Sequence, residues 1–520
     1  MKNIIKLLIF RLKIDMITLI TNSSPLAEIG TKTLSGYLID RKIDCKVIYL
    51  NNIMGEYIDE NIKTEILKTV RDSSIVGMSL MTKDFFLFKD LTTFLKKKTK
   101  AKIIWGGIHP TVKPDEAINF CDFVCVGEGE EPLYLLCQKL NSKKFTDVPN
   151  LVYKKGNKVI RNNVGFIVNN LNTLPLPDYE FKTSYILYDG KIIKIPQDLT
   201  LKKKLLGANL AFYSQRGCPY SCTYCTNYFL RDLYKAKGKL FYRRSSVERI
   251  IKELEEYKKL MPFIESIVIN DDEFLARSDE EIKEFSVAYK KVIGVPFYIN
   301  ALGSFVKKDK IKYLVDASLK GISIGIQTGS KRILKHIYYR PVFSETNIKA
   351  SRIVNKYKNN LEVKYDLIVD NPYELENDKI QTVKLLNRLS RPFDLQLHSL
   401  VFFPGTRMYD LAKRDGLIED EESQIYRKRY QIDITNDYFN AIFFLNSISL
   451  LPVWLNNFLI NKNVLKSVFF SPFRFLMSRS IKFLLIIKAV KIVIHSPSVL
   501  KHYIKYLTIL PKPRYAVSKE

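Results

Sequence analysis

Between Gln215 and Tyr228 the chain reads QRGCPYSCTYCTNY, which sets Cys218, Cys222 and Cys225 at C-x3-C-x2-C spacing. Thiolates are soft ligands for iron–sulfur clusters and for zinc, and four cysteines normally close either kind of site. The chain has seven cysteines; the next one upstream is Cys137, and none lies downstream of Cys225. Three thiolates on a cubic cluster leave one iron open to a substrate or cosubstrate. A zinc site would need a histidine to complete it, and the nearest are His109 and His336. The missing fourth ligand weighs against zinc.

Other residues with chemical potential fall where an alternating α/β pattern would place them. Over residues 15–142, strand-like runs at Met16–Asn22, Cys45–Leu50, Ile75–Leu80, Ile103–Gly107 and Phe123–Val126 alternate with segments of helical period. This pattern predicts a doubly wound parallel sheet, whose ligands bind beyond the carboxyl ends of the strands. Two glycine-bearing loops fall there, Trp105-Gly106-Gly107-Ile108-His109-Pro110-Thr111 and Val126-Gly127-Glu128-Gly129-Glu130-Glu131-Pro132. Residues 143–207 read as a linker with two hairpins, around Lys155-Gly156-Asn157 and Asp189-Gly190, separated by the stiff stretch Leu174-Pro175-Leu176-Pro177-Asp178. From 208 to 418, the strand Asn209–Ser214 delivers the cysteines, and strands follow at Ser266–Asn270, Pro296–Ala301, Ser323–Gln327, Lys364–Val369 and Leu395–Phe403. Those βα units predict a partial version of the eight-unit barrel, with its site at the strand C-termini. Ser245-x-x-Glu248 and Ser278-x-x-Glu281 are expected to cap the first two helices between these strands.

The cysteine stretch resembles the radical S-adenosylmethionine (radical SAM) enzymes, with Tyr224 as the aromatic residue before the third cysteine. The resemblance implies a 4Fe–4S cluster held by Cys218, Cys222 and Cys225, its open iron chelating SAM, and reductive cleavage of SAM to a 5′-deoxyadenosyl radical. It places Tyr224 against the adenine, Asp272 and Glu273 of Asp271-Asp272-Glu273 near the SAM amino group, and Gln327 of Gln327-Thr328-Gly329-Ser330 at the ribose. Adjacent acids could equally cap the following helix, and many members have glutamate where Gln327 stands. Asp370-Asn371-Pro372-Tyr373-Glu374 approaches the family's G-x-P-x-E-T pattern without its glycine and threonine, and Phe403-Pro404-Gly405-Thr406 matches its P-G-T segment. The glycine loops resemble the cobalamin-binding domain that precedes the barrel in one subgroup. Gly106, Gly107, His109, Thr111, Gly127 and Glu128 would then contact cobalamin. The D-x-H-x-x-G motif that supplies a cobalt ligand elsewhere is absent, so His109 need not be axial. A flavodoxin-like sheet that has lost its cofactor is the bland alternative. Asp366, Tyr365, Tyr298 and His398 could face the barrel mouth, although such residues in strands are more often packing groups.

Lys+Arg exceed Asp+Glu by 83 − 54 = +29, which suits nucleic acid, an anionic membrane surface or acidic ligands, or reflects a lysine-rich composition. No RNA-binding pattern is visible, so nucleic acid is not expected. The sparse cysteines fit a reducing cytosol, and MKNIIKLLIFRLKID is a poor signal peptide because basic residues interrupt it. After Asp437 no acidic residue occurs until Glu520. The apolar, Lys/Arg-seeded runs of residues 419–520 suggest basic amphipathic helices touching a membrane peripherally, or a helical cap over the barrel. The expected function is a cytoplasmic cobalamin-dependent radical SAM methyltransferase. It would act on an unactivated carbon of a lipid-like or natural-product small molecule, with flavodoxin or ferredoxin as reductant. A radical cyclase or oxidoreductase, and a non-catalytic iron–sulfur/SAM-binding protein, are the alternatives.

Overall fold

A computed structural model describes residues 16–484, leaving out 54, 236, 237, 239, 448–450 and 482. The N-terminal run, and the tail segments beyond Leu484, lie outside the described residues.

The first sheet contains the five expected parallel strands, β1 (Ile17–Thr21), β2 (Cys45–Tyr49), β3 (Ile75–Ser79), β4 (Lys102–Gly106) and β5 (Phe123–Cys125). Each is an almost continuous apolar run, as a strand covered on both faces must be. Their order, β5-β4-β3-β1-β2, reverses between β3 and β1, and the crevice at that switch point is where such folds bind ligands. The segment read as a linker does more than connect. Its hairpins β6 (Leu151–Lys155) with β7 (Lys158–Arg161), and β8 (Ser184–Tyr188) with β9 (Lys191–Lys194), add antiparallel and parallel pairings at opposite edges. The result is a nine-stranded sheet. Both edge strands are short and lysine-bearing, which discourages further strand addition.

The second sheet has six parallel strands in sequence order: β10 (Asn209–Phe212), β13 (Ser266–Ile269), β14 (Phe297–Ala301), β15 (Leu319–Gln327), β16 (Glu362–Val369) and β17 (Asp394–Ser399). This is the partial barrel. Between β10 and β13 lies an unanticipated antiparallel ribbon, β11 (Gln215–Arg216) with β12 (Arg243–Arg244). The capping box at Ser278 and Glu281 forms as expected. At the preceding helix, Val247–Leu260, the cap shifts by one residue: Ser246, not Ser245, accepts from Arg249 N.

Packing joins the two sheets. Tyr179 and Phe181, just after the proline stretch, are buried in a run of aromatic contacts. It passes from Tyr49 through Phe181 and Tyr179 to Tyr257 of the barrel, with centroids 6.2, 6.0 and 3.9 Å apart. The backbone adds a bond from Ala211 N in β10 to Leu26 O after β1, 2.9 Å.

The tail divides. The helix Tyr438–Ser447, expected among the amphipathic surface elements, is instead buried along its length and packs on β17. Its all-round apolar composition explains this, because a helix without a polar face has to be covered. Short surface helices follow: Val453–Leu459 packs on the barrel helix Glu376–Arg388, and Ser471–Arg479 packs on Tyr438–Ser447.

Candidate functional site

The cysteine loop is held by its neighbours before any cofactor is considered. As the chain leaves β10, Ser214 N and Gln215 N donate to the buried Asp271 carboxylate at 2.6 and 3.1 Å. Gly217 then takes φ +84°, and a Cβ there would lie 2.8 Å from Phe241 O, so only glycine fits the turn into Cys218. Thr223 is clamped through N–H to Tyr338 O (3.1 Å) and through its hydroxyl to Ile337 O (2.6 Å). Arg231 donates to Cys218 O at 2.6 Å. Cys222 is buried, while Cys218 and Cys225 are partly accessible. Burial pushes the Cys218 and Cys225 thiols up to about 12, so loading with metal must displace their protons. Among the described residues, no group of three or more His, Cys, Asp or Glu side chains is arranged to hold one metal ion.

Around these thiols the structure gathers most of the expected SAM-facing residues. Arg340, buried, donates to Cys222 Sγ (3.8 Å), to the Tyr224 hydroxyl (3.3 Å) and to Gly325 O (2.6 Å). Tyr224 stands edge-on to Tyr338, 4.9 Å between centroids. Gln327, at the end of β15 with φ +64°, folds back over Gly325, where a Cβ would meet its Nε2 at 2.6 Å. Of the three acids after β13, only Asp272 is exposed, and it accepts from Asn227 Nδ2 at 2.9 Å. Glu273 turns inward to accept from Leu275 N (3.0 Å) and Leu302 N (2.5 Å), so both of its carboxylate oxygens are taken up by backbone N–H groups. Desolvation raises its pKa to about 8.

Glu374, the acid of the stretch that approaches the G-x-P-x-E-T pattern, ends the loop after β16. It accepts from the Thr328 hydroxyl at 2.8 Å, with a pKa pushed to about 7 by burial. Deeper in the barrel, Ser323 donates to Asp366 (2.8 Å), whose other oxygen lies 3.5 Å from His398 Nε2. Tyr365 faces the opposite side and packs on Phe393, and Tyr298 covers Gly321.

A cavity of about 370 Å³ opens at the switch point of the first sheet and reaches the ribbon that leads into the cysteines. Its inner wall is apolar (Leu19, Leu34, Ile104, Leu133), and its rim is polar (Glu128, Gln215, Arg216, Arg249). An apolar slot with a hydrogen-bonding rim suits a large macrocycle bearing amide side chains. Gly106, Gly107, Gly127 and Glu128 line it, as expected. His109 does not. Its imidazole is fully buried on the other face of the sheet, between Phe85 and Tyr426 at 5.0 and 5.6 Å, with Nδ1 3.3 Å from the Thr82 hydroxyl. Desolvation lowers its pKa to about 4. Thr111 is likewise withdrawn: its hydroxyl donates to Gly107 O (2.7 Å) and accepts from Gly127 N (3.0 Å), tying the two glycine loops together. Both are positioning residues of the loops.

Glu128 is the hinge between the halves. It pairs with Arg216 of β11 (3.1 Å) and Arg243 of β12 (2.6 Å) and accepts from Val168 N (2.7 Å). Burial alone would raise its pKa, but the two guanidiniums outweigh that and hold it below the usual carboxylate range. Neither arginine stands out in sequence, because the ribbon that carries them has only two residues per strand.

The chain's similarities follow the same division. Residues 212–386 match the radical SAM superfamily and residues 17–136 the B12 binding domain. A Methanocaldococcus jannaschii protein provisionally named a methylthiotransferase is 26% identical over 70% of this chain and 76% of its own length. Bacteriochlorophyllide d C-8(2)-methyltransferase of Chlorobaculum tepidum is 22% identical over 75% and 79%. In fold, the chain is similar to TsrM from Kitasatospora setae, a radical SAM methyltransferase, with TM-score 0.61 and 15% identity over 78% of this chain and 77% of that one. It is also similar to OxsB, a cobalamin-dependent SAM radical enzyme, with TM-score 0.59 and 20% identity over 79% and 62%. The chain is thus a radical SAM enzyme with an N-terminal B12-binding domain, an architecture that implies a 4Fe–4S cluster, SAM and cobalamin as its cofactors.

Proposed function

We propose that the protein transfers a methyl group from SAM to an unactivated carbon of a small molecule, lipid-like or a natural product, with a flavodoxin- or ferredoxin-type reductant. The observation that carries this reading is the single cavity running from the strand ends of the B12-binding sheet to Gln215 and Arg216, the residues just before the cysteine loop. The cluster and the corrinoid supply one-electron and methyl-carrier chemistry when bound. The chain's own residues do the rest. Cys218, Cys222 and Cys225 would hold the cluster, and Arg340 keeps the Cys222 sulfur oriented and offsets its charge. Asp272, open to solvent, suits the ammonium of SAM. Gln327 can hydrogen-bond a hydroxyl, and Tyr224 forms a flat wall. Asp366 and His398, 3.5 Å apart, lie inside the barrel, where a polar part of the substrate could be anchored.

The test is anaerobic turnover of cluster- and cobalamin-loaded protein with SAM and a reductant. Both 5′-deoxyadenosine and S-adenosylhomocysteine should accumulate, and the Cys218→Ala/Cys222→Ala/Cys225→Ala variant should lack iron–sulfur absorbance and form no 5′-deoxyadenosine. Formation of 5′-deoxyadenosine without S-adenosylhomocysteine would replace methyl transfer with radical cyclisation or oxidation.

A further inference from the structure

The surface helices of residues 451–484 expose an apolar ridge that the chemistry above does not use. Trp454 and Phe458 lie one turn apart on the helix Val453–Leu459 and are exposed. Phe458 touches Phe470 (5.9 Å), which touches Phe473 (4.8 Å), so the rings form one continuous row. Phe469 beside it is 99% exposed, and Phe475 and Leu476 on the helix Ser471–Arg479 are 62% and 70% exposed. Exposed rings gathered along one surface in this way mark an interaction surface.

Charge decides what covers it. Lys462, Lys466 and Arg479 are exposed among these rings, Arg479 stacking on Phe475 at 5.1 Å. From residue 438 to residue 519 the chain has no carboxylate side chain. A protein–protein interface excludes lysine from its core, and a second copy would bring like charge against like. Segment 485–520 is itself basic, with its sole acid at the last residue, so it complements the ridge no better. No helix among the described residues is long and apolar enough to cross a membrane. We propose that this ridge docks the protein on the surface of an anionic lipid bilayer, rings in the interface and cations at the headgroups. Below the ridge, Leu459, Leu465 and Met477 are buried in the apolar cluster that also holds the barrel's core. Truncation would therefore damage the fold, and surface substitutions are the appropriate test.

Full-length protein should co-sediment with vesicles containing phosphatidylglycerol, less with phosphatidylcholine alone, and less at high salt. Lys462→Glu/Lys466→Glu/Arg479→Glu should weaken anionic-vesicle binding by about tenfold or more, and Phe469→Ser/Phe475→Ser/Leu476→Ser should do likewise. Unchanged iron loading and circular dichroism would show both variants folded. Protein that stays in the supernatant with anionic vesicles at low salt overturns the proposal. So does equal binding to neutral vesicles, or binding that neither variant reduces. A concentration-dependent dimer that disappears in the serine variant also overturns it and assigns the ridge to a second copy.

Discussion

Arg340 is the residue on which the cysteine loop and the fourth barrel strand converge. Its guanidinium is buried, its partners are a thiol, a phenol and a carbonyl, and none of them is a carboxylate. A cation against a cluster ligand favours the more reduced, more negative state. Arg340→Met should therefore move the cluster's reduction potential to a more negative value, read by an electron paramagnetic resonance titration. Glu374 makes a separate, cofactor-free prediction. Its pKa is raised by burial from 4.5 to about 7, so its favourable contribution to folding is fully present below pH 4.5 and is lost as pH rises through 7. The term amounts to about 2 kcal/mol after allowing for solvent screening of a partly accessible group. Glu374→Gln keeps an acceptor for Thr328, so denaturant unfolding across that range should show a flatter stability profile than the parent protein.

Elements are positioned by close approaches that the sequence only hints at. Gly127 takes φ +85°, and a Cβ there would lie 2.4 Å from the Tyr234 hydroxyl, which also accepts from Glu128 N at 2.9 Å. The glycine is needed for Tyr234 of the helix after the cysteines, not only to leave space for a ligand. Gly127→Ala should cost about 2 kcal/mol through backbone strain and displacement of that ring, seen as a lowered melting temperature even without cobalamin. Gly107 is similar: φ is +94°, and its Cβ would lie 2.8 Å from Leu80 O. Substitutions at either loop therefore act first on the fold, and loss of corrinoid would be a consequence.

At the scale of the whole molecule, the two halves are held by the aromatic run through Tyr179 and by the Glu128–Arg216–Arg243 cluster. Removing one member of a buried ion pair strands its partners. Glu128→Ala should therefore cost roughly 3–5 kcal/mol and loosen the cavity's rim, checked by urea unfolding and by cobalamin retention on gel filtration. Because the Glu128 pKa lies below its usual 4.5, this contribution is present above that pH and is lost as pH falls through the lowered value. The parent protein should accordingly lose stability in acid more steeply than the variant.

Local periodicity and motif spacing were enough for the parallel strands of both sheets, the cysteine triad and the glycine loops, since each depends on residues close together in the chain. The same local view misplaced Glu273, His109 and Thr111. All three have the right chemistry at the right strand end, but the turn of the backbone points their side chains into the protein. Nor could it show that the bridging hairpins complete the first sheet, because pairing with β2 and β5 is a long-range choice. Arg216, Arg243 and Arg340 become functional only through partners that folding brings near, 88 to 118 residues away for Glu128 and Cys222. Spacing along the chain determined which ligands could exist; which side of the backbone met which neighbour was decided by packing, where burial and charge pairing set the outcome.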